Sequence, residues 1–243
     1  EHDLFCQINL MYILKVLADY NCHIKISLVL PHKYEPDFRY KGFGESAPKE
    51  LQKLYSSRTY LSWNDLIFAK ELWRAYASSE PVKFQSMINK MDQNSPLFKR
   101  ALFAHLERFP SVENGLNRIE QVILKAVQEG ADNTNEILDK VWTRANIYGL
   151  GDLQILNYIE RLKNDKLLSF GEKIEITKLG EEVLCNLKSY IKIMNMDIWI
   201  GGVHVNQASE IWLWDKCNNT LVSMIHIVEV KSLSRIKQTI RCF

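Results

Sequence analysis

The sequence predicts an α/β segment at the start of the chain, then mainly α structure with a winged helix-turn-helix, and a small β appendage near the end. Three observations carry this. From Leu116 to Leu187, three apolar stripes at helical spacing precede two short alternating runs and a further helix start, the order of a helix-turn-helix with a wing. Near the beginning, a helical stripe from Leu4 to Leu17 is followed by the β-rich run Ile24–Leu30. Beyond Leu187 the pattern changes again, to short β-like runs separated by polar turns. The expected boundaries are an α/β remainder over 1–60, a helical connector over 61–112, the winged helix over 113–190, the β appendage over 191–230 and a peripheral tail over 231–243.

The 243 residues are 47% hydrophobic and 25% charged, with a net charge of +2. That is ordinary globular composition, and the small net charge supplies no general attraction to nucleic acid or membrane. No apolar run approaches the ~20 residues of a membrane helix. The five cysteines are scattered and form no Cys-x-x-Cys pair, so neither a thiolate metal site nor a disulfide framework is expected and a reducing cytoplasm fits. The chain opens on Glu1-His2-Asp3, already inside patterned sequence, and a strand upstream of it is expected.

In order, Asp3 is a helix N-cap for a stripe of Leu4, Ile8, Met11, Leu14 and Leu17. Ile24–Leu30 then reads as a strand ended by Pro31, and helix-then-strand suggests a βαβ unit in a parallel sheet. A loop runs to Pro48 and a short helix covers about 49–55. Ser62 with Asp65 forms a capping-box pattern ahead of Leu66, Ala69, Trp73 and Tyr76. Pro81 and Pro96 each suit the first turn of a further helix, the second carrying Leu97, Ala101, Leu102, His105 and Leu106 on one side.

Within the winged segment, the first helix turns Ile119, Val122, Ile123, Ala126 and Val127 inward and stops at Gly130. The second, from about Asn133, turns Ile137, Leu138, Val141 and Trp142 inward, and the third Leu153, Leu156, Ile159 and Leu162. Residues 167–170 and 174–177 flank Gly171-Glu172-Lys173 as a hairpin, and Thr177 opens a last helix. Strands are expected over 198–205, 211–215 and 221–228. Cys6 and Cys185 fall among apolar residues and are expected to be buried.

Three motifs resemble those of a bacterial family whose function is uncharacterised. They are Glu1-His2-Asp3-Leu4-Phe5-Cys6-Gln7, similar to EHDL(Y/F)xQ; Phe109-Pro110-Ser111 with Asn114-Gly115-Leu116-Asn117-Arg118-Ile119-Glu120, similar to FPS…NGLxRxE; and Trp199-Ile200-Gly201-Gly202-Val203-His204 with Trp212-Leu213-Trp214-Asp215, similar to W(L/I)GGVH…WxWD. Leu213 departs from the Arg or Lys often found between those tryptophans. The resemblance implies an α/β segment ahead of the first motif. It assigns no activity.

Three constellations are candidates for function. Glu1, His2 and Asp3 would sit at the carboxyl end of a strand and the start of a helix, where open α/β sheets bind ligands, and could transfer protons in an enzyme or nucleotide- or metal-binding domain. Against this, Asp3 is accounted for as a cap, and no second ligand set stands at a metal-binding spacing. The winged helix would contact DNA or a protein partner. Gln154 and Asn157 could read bases, and Arg161, Lys163 and Lys173 could hold backbone. Yet residues 118–190 carry ten basic and twelve acidic side chains, and Asp152 stands where phosphate would approach. Third, His204 and Asp215 on neighbouring strands, with Trp212 and Trp214 on one face, could form a ligand site; packing explains the tryptophans equally well. The sequence names no cofactor. It favours a cytoplasmic binding or regulatory protein, with the enzyme as the alternative.

Overall fold

The computed structural model describes residues 3–20, 25–30, 47–91, 96–194, 197–206 and 210–224. Over these residues the chain is mixed and mostly helical, its strands forming two-stranded antiparallel pairs. Asp3 begins α1 (Leu4–Asp19) by accepting the Cys6 amide at 2.9 Å. Leu4, Gln7, Met11, Leu14 and Ala18 recur at three- and four-residue spacing and are buried. That stripe packs along α3 (Trp63–Tyr76), where Tyr12 meets Trp73 with ring centroids 4.9 Å apart. Lys15 and Lys70 both reach Asp19 at 2.7 Å and tie the end of α1 to the middle of α3.

The expected strand over 24–30 is reduced, in its described part, to β1 (Ser27–Leu28). It pairs antiparallel with β2 (Thr59–Tyr60), a strand the sequence did not suggest. The parallel βαβ arrangement is therefore corrected for the described residues. The pair is antiparallel, whereas a βαβ unit needs parallel strands; the short helix α2 (Pro48–Ser56) precedes β2. Ser62 and Asp65 form the anticipated reciprocal cap of α3. Proline sits in the first turn of α4 (Pro81–Lys90) and begins α5 (Pro96–Leu106).

Next come α6 (Arg118–Gln128), α7 (Thr134–Arg144), a 3-10 turn (Asn146–Tyr148) and α8 (Asp152–Asn164). The hairpin β3 (Leu168–Phe170)–β4 (Ile174–Ile176) and α9 (Lys178–Leu184) follow. On α6 the expected inward residues are buried, and Gly130 just past its end has φ +103°, which favours glycine. Two expectations fail. Trp142 is 44% exposed, lying over the surface and donating Nε1–H to the Leu150 carbonyl at 3.1 Å. The buried stripe of α8 is Ile155, Ile159 and Leu162, while Leu153 is 71% exposed. A repeated spacing of three loses ~60° per step on a helix of 3.6 residues per turn, so Leu153 stands ~120° away from Ile159.

The run expected as a single strand over 198–205 folds back on itself as β5 (Asp197–Ile200) and β6 (Val203–Asn206). Gly201, at φ +62°, makes the reversal. The last pair is β7 (Trp212–Asp215)–β8 (Thr220–Ser223). Strict alternation does not hold on β7, where Leu213 and Trp214 are both buried. Trp214 is flanked on its other edge too, donating to the Pro110 carbonyl at 2.8 Å and accepting from the Val112 amide at 3.1 Å. Gln85 of α4 fixes β8, accepting the Leu221 amide at 2.9 Å and donating to the Asn219 carbonyl at 3.1 Å. One apolar core runs from Leu4 of α1 to Leu221 of β8. Cys185 is exposed and Cys6 half-buried, against the expectation that both are buried, because each follows its helix's solvent-facing flank. The expected tail over 231–243 lies outside the described residues. Among the described residues, no helix is long and apolar enough to cross a membrane.

Candidate functional site

The second motif folds into a buried polar junction. Ser111 Oγ accepts the Glu113 amide at 3.0 Å, and Asn114 Oδ1 accepts the Leu116 amide at 3.0 Å, which shapes the turn. Gly115 has φ +81°, and a Cβ there would strike the Ile191 backbone. Asn117 caps α6 through the Ile119 and Glu120 amides, both at 3.0 Å, and Glu120 returns the favour by accepting the Asn117 amide at 2.7 Å. The other Glu120 oxygen pairs with Arg161 of α8. Glu120 is 1% exposed. Burial pushes its carboxyl above the usual range, and the Arg161 guanidinium pulls it part of the way back. Around this pair Tyr190 donates to Asp165 at 2.6 Å and Tyr148 to Glu107 at 2.8 Å. Both phenols are raised, burial being the largest cause. Ser111, Asn114, Asn117 and Glu120 each have a partner that explains them structurally, while Arg118 is exposed. The sequence signal for the junction was the spacing of Asn117 and Glu120, a capping box whose Asn was not read as such.

This junction decides what α8 and the hairpin present outward. Gln154 and Asn157 are exposed, as contact residues should be, although Gln154 Oε1 accepts the Gly151 amide at 2.9 Å and helps cap the helix. Arg161 turns inward to Glu120. Lys163 lies over the Phe170 ring, 4.7 Å from its centroid, with Glu160 at 3.4 Å. Lys173 at the hairpin tip pairs with Asp132, which raises the lysine and lowers the acid. All three nominated cations thus have acid partners. Between them the outer face of α8 shows Asp152, Leu153, Gln154, Asn157 and Glu160. Leu153 is not alone. Leu150 accepts the Trp142 indole, and Phe5 of α1 lies against Gly149, whose added Cβ would come within 3.1 Å of the Phe5 Cβ. Phe5, Trp142 and Leu153 are each exposed around the start of α8.

Of the first constellation, Glu1 and His2 lie outside the described residues. The Asp3 carboxylate is engaged as a cap and pressed against Gly149, where φ is +62° and a Cβ would overlap it. In the third constellation the structure corrects the pairing. His204 is cross-strand from Trp199, and its Nε2 lies 2.7 Å from Asp197. Asp215 serves the β7–β8 turn instead, accepting the Asn218 side-chain amide at 2.8 Å, the Asn218 backbone amide at 3.1 Å and the Cys217 amide at 3.0 Å, and these bonds, the Asn218 side chain first, hold its carboxyl below the usual range. Trp212 is half-buried and Trp214 buried against the 110–112 segment. The separation follows from the hairpin at Gly201–Gly202, which gives each motif half its own strand partner. Among the described residues, no group of three or more His, Cys, Asp or Glu side chains is gathered as a metal site.

These features define a mixed, mostly helical chain with small antiparallel strand pairs. No family model, curated protein or solved structure matches it.

Proposed function

We propose that residues 113–190 form a winged helix-turn-helix that binds a protein partner, the third helix α8 providing the contact. The reading rests on one observation: the outer face of α8 centres on Leu153, 71% exposed, with Asp152 and Glu160 on either side of it. A helix that reads DNA needs cations aimed at phosphate. Here Arg161, Lys163 and Lys173 are each drawn to acids of the same chain. An exposed leucine, with Trp142 and Phe5 also exposed near the start of the same helix, fits the apolar centre and aromatic flank of a protein contact instead. The order α6, α7, α8, β3–β4 supports the winged-helix reading, and the three motifs support a place beside the uncharacterised bacterial family they resemble.

The test is a photocrosslinking amino acid at position 153, with irradiation in cells producing the full chain. A protein adduct lost on Trp142→Ala supports the proposal. A nucleic-acid adduct, or binding of random-sequence duplex DNA that weakens steeply with salt, would overturn it and restore the DNA reading.

A further inference from the structure

The outer face of the β5–β6 hairpin is a built surface of four residues. Alternation sends Ile198, Ile200, Val203 and Val205 toward the core and Asp197, Trp199, His204 and Asn206 outward. The outward four are already joined. Trp199 and His204 stack with ring centroids 4.4 Å apart and planes 3° from parallel. His204 Nε2 meets Asp197 at 2.7 Å, and Nδ1 meets the Asn206 amide nitrogen at 3.0 Å. The Asp197 side chain is 76% exposed, so its carboxylate faces solvent beside the stacked rings.

The hairpin itself is held rigidly. Gly202 donates to the Tyr76 carbonyl at 2.9 Å, and a Cβ on it would overlap the Ala77 carbonyl, so the turn sits directly on the end of α3. Below Gly201 the buried His105 ring packs among Tyr76, Phe84 and Phe109. Trp199 has one face covered by the imidazole and yet is 63% exposed, so its other face is open. An indole face held in place by a ring beneath it, with an exposed carboxylate two residues along the same strand face, matches one chemistry well. A planar cation can lie on the indole while its N–H groups point to the acid.

We propose that this face binds an arginine side chain of a partner protein, the guanidinium stacking on Trp199 and donating to Asp197. The site is separate from the α8 surface, and its test does not depend on that surface. Phosphate-bearing ligands are disfavoured by the same carboxylate.

The test uses the full chain with 15N-labelled indoles, titrated with N-acetyl-arginine methylamide and, in parallel, with its neutral isostere N-acetyl-citrulline methylamide. The Trp199 indole signal, assigned by its loss in Trp199→Phe, should shift with the arginine compound and move little with citrulline. Asp197→Asn, a surface change that leaves the hairpin folded, should weaken the arginine response by about three- to five-fold, the size of an exposed cation–π or charge contact. Equal responses to both compounds, no response of Trp199 to either, or an unchanged affinity in Asp197→Asn would each overturn the proposal. A preference for N-acetyl-glutamate methylamide would do the same and point to an anion site.

Discussion

Replacing Arg161 by methionine separates a structural arginine from a nucleic-acid contact. An exposed contact residue should change stability by no more than ~0.5 kcal/mol when replaced. Arg161 instead neutralises Glu120, which is 1% exposed and also accepts the Asn117 amide at the start of α6. Removing one partner of a fully buried pair costs ~3–5 kcal/mol. The Arg161 side chain keeps 25% of its exposure, so the pair is partly screened and ~2–3 kcal/mol is the better expectation. The loss should depend on pH in a defined sense. Without the guanidinium, the Glu120 carboxyl, already raised by burial, rises further. A raised folded-state value means that the folded form holds its proton more tightly than the unfolded one. The variant is therefore least impaired below the unfolded carboxyl value near 4.5, and loses stability as pH rises through the raised folded value. Urea unfolding of the parent, Arg161→Met, Glu120→Gln and the double variant at acid and neutral pH measures this. The double variant should recover at least ~1 kcal/mol relative to the sum of the singles, since a neutral pair leaves no buried charge. A change under ~0.5 kcal/mol for Arg161→Met at neutral pH, or strict additivity, would refute the assignment.

Gly202→Ala should cost ~1–3 kcal/mol, because the methyl group displaces the hairpin from the Ala77 carbonyl; thermal unfolding with Trp199 fluorescence reads both the stability and the undocking. Leu153→Asp should leave stability within ~0.5 kcal/mol while Ile159→Ala costs ~2–4, and a reversed ranking in urea would show that the buried face of α8 has been misassigned. The Asp19 carboxyl, held down by hydrogen bonds from Lys15 and then Lys70, should titrate at about 2 by carboxyl 13C NMR and return toward 3.8 in Lys70→Met. Its folded-state value is depressed, so its contribution is present above 3.8 and fades as pH falls toward 2; acid unfolding of Asp19→Asn should show no such fading.

The helices were the legible part of the sequence because their signals are local. Ser62 with Asp65, Asn133, Thr177, Pro81 and Pro96 mark starts that need no knowledge of the rest of the chain. What failed depended on long-range partners. Leu153 entered the stripe of α8 on spacing alone, whereas its burial depends on which side α6 and α7 approach. The strand after α1 was assigned a parallel neighbour, but its partner is Thr59-Tyr60, too short and polar to announce itself. Pairing His204 with Asp215 required residues 198–205 to be one strand. Gly201 turns that run into a hairpin, and the acid that meets His204 becomes Asp197, diagonal to it across the hairpin. Arg161 is the same lesson on α8: a basic residue on a presumed contact helix says nothing of its direction until the buried acid opposite it is known.

The motifs divide by what their residues do for the fold. In the second, Ser111, Asn114, Asn117 and Glu120 all close turns or cap α6, and Gly115 clears Ile191, so structure accounts for these five residues, while Arg118 is exposed. The third is mixed. Ile200 and Val203 fill the core, Gly201 and Gly202 seat the turn on α3, and Trp214 packs against residues 110–112. Trp199 and His204 differ from these. Burial does not require a large aromatic ring at 63% exposure, and a fold-only hairpin could carry Thr or Lys there at less cost in exposed apolar surface. The first motif gives a cap in Asp3 and buried Leu4 and Gln7, and leaves Phe5 exposed beside α8. Phe5 and Trp199 are thus exposed aromatic residues in motifs otherwise spent on packing. One belongs to the proposed α8 surface and the other to the proposed guanidinium site, so binding is expected at the aromatic positions that the core does not use.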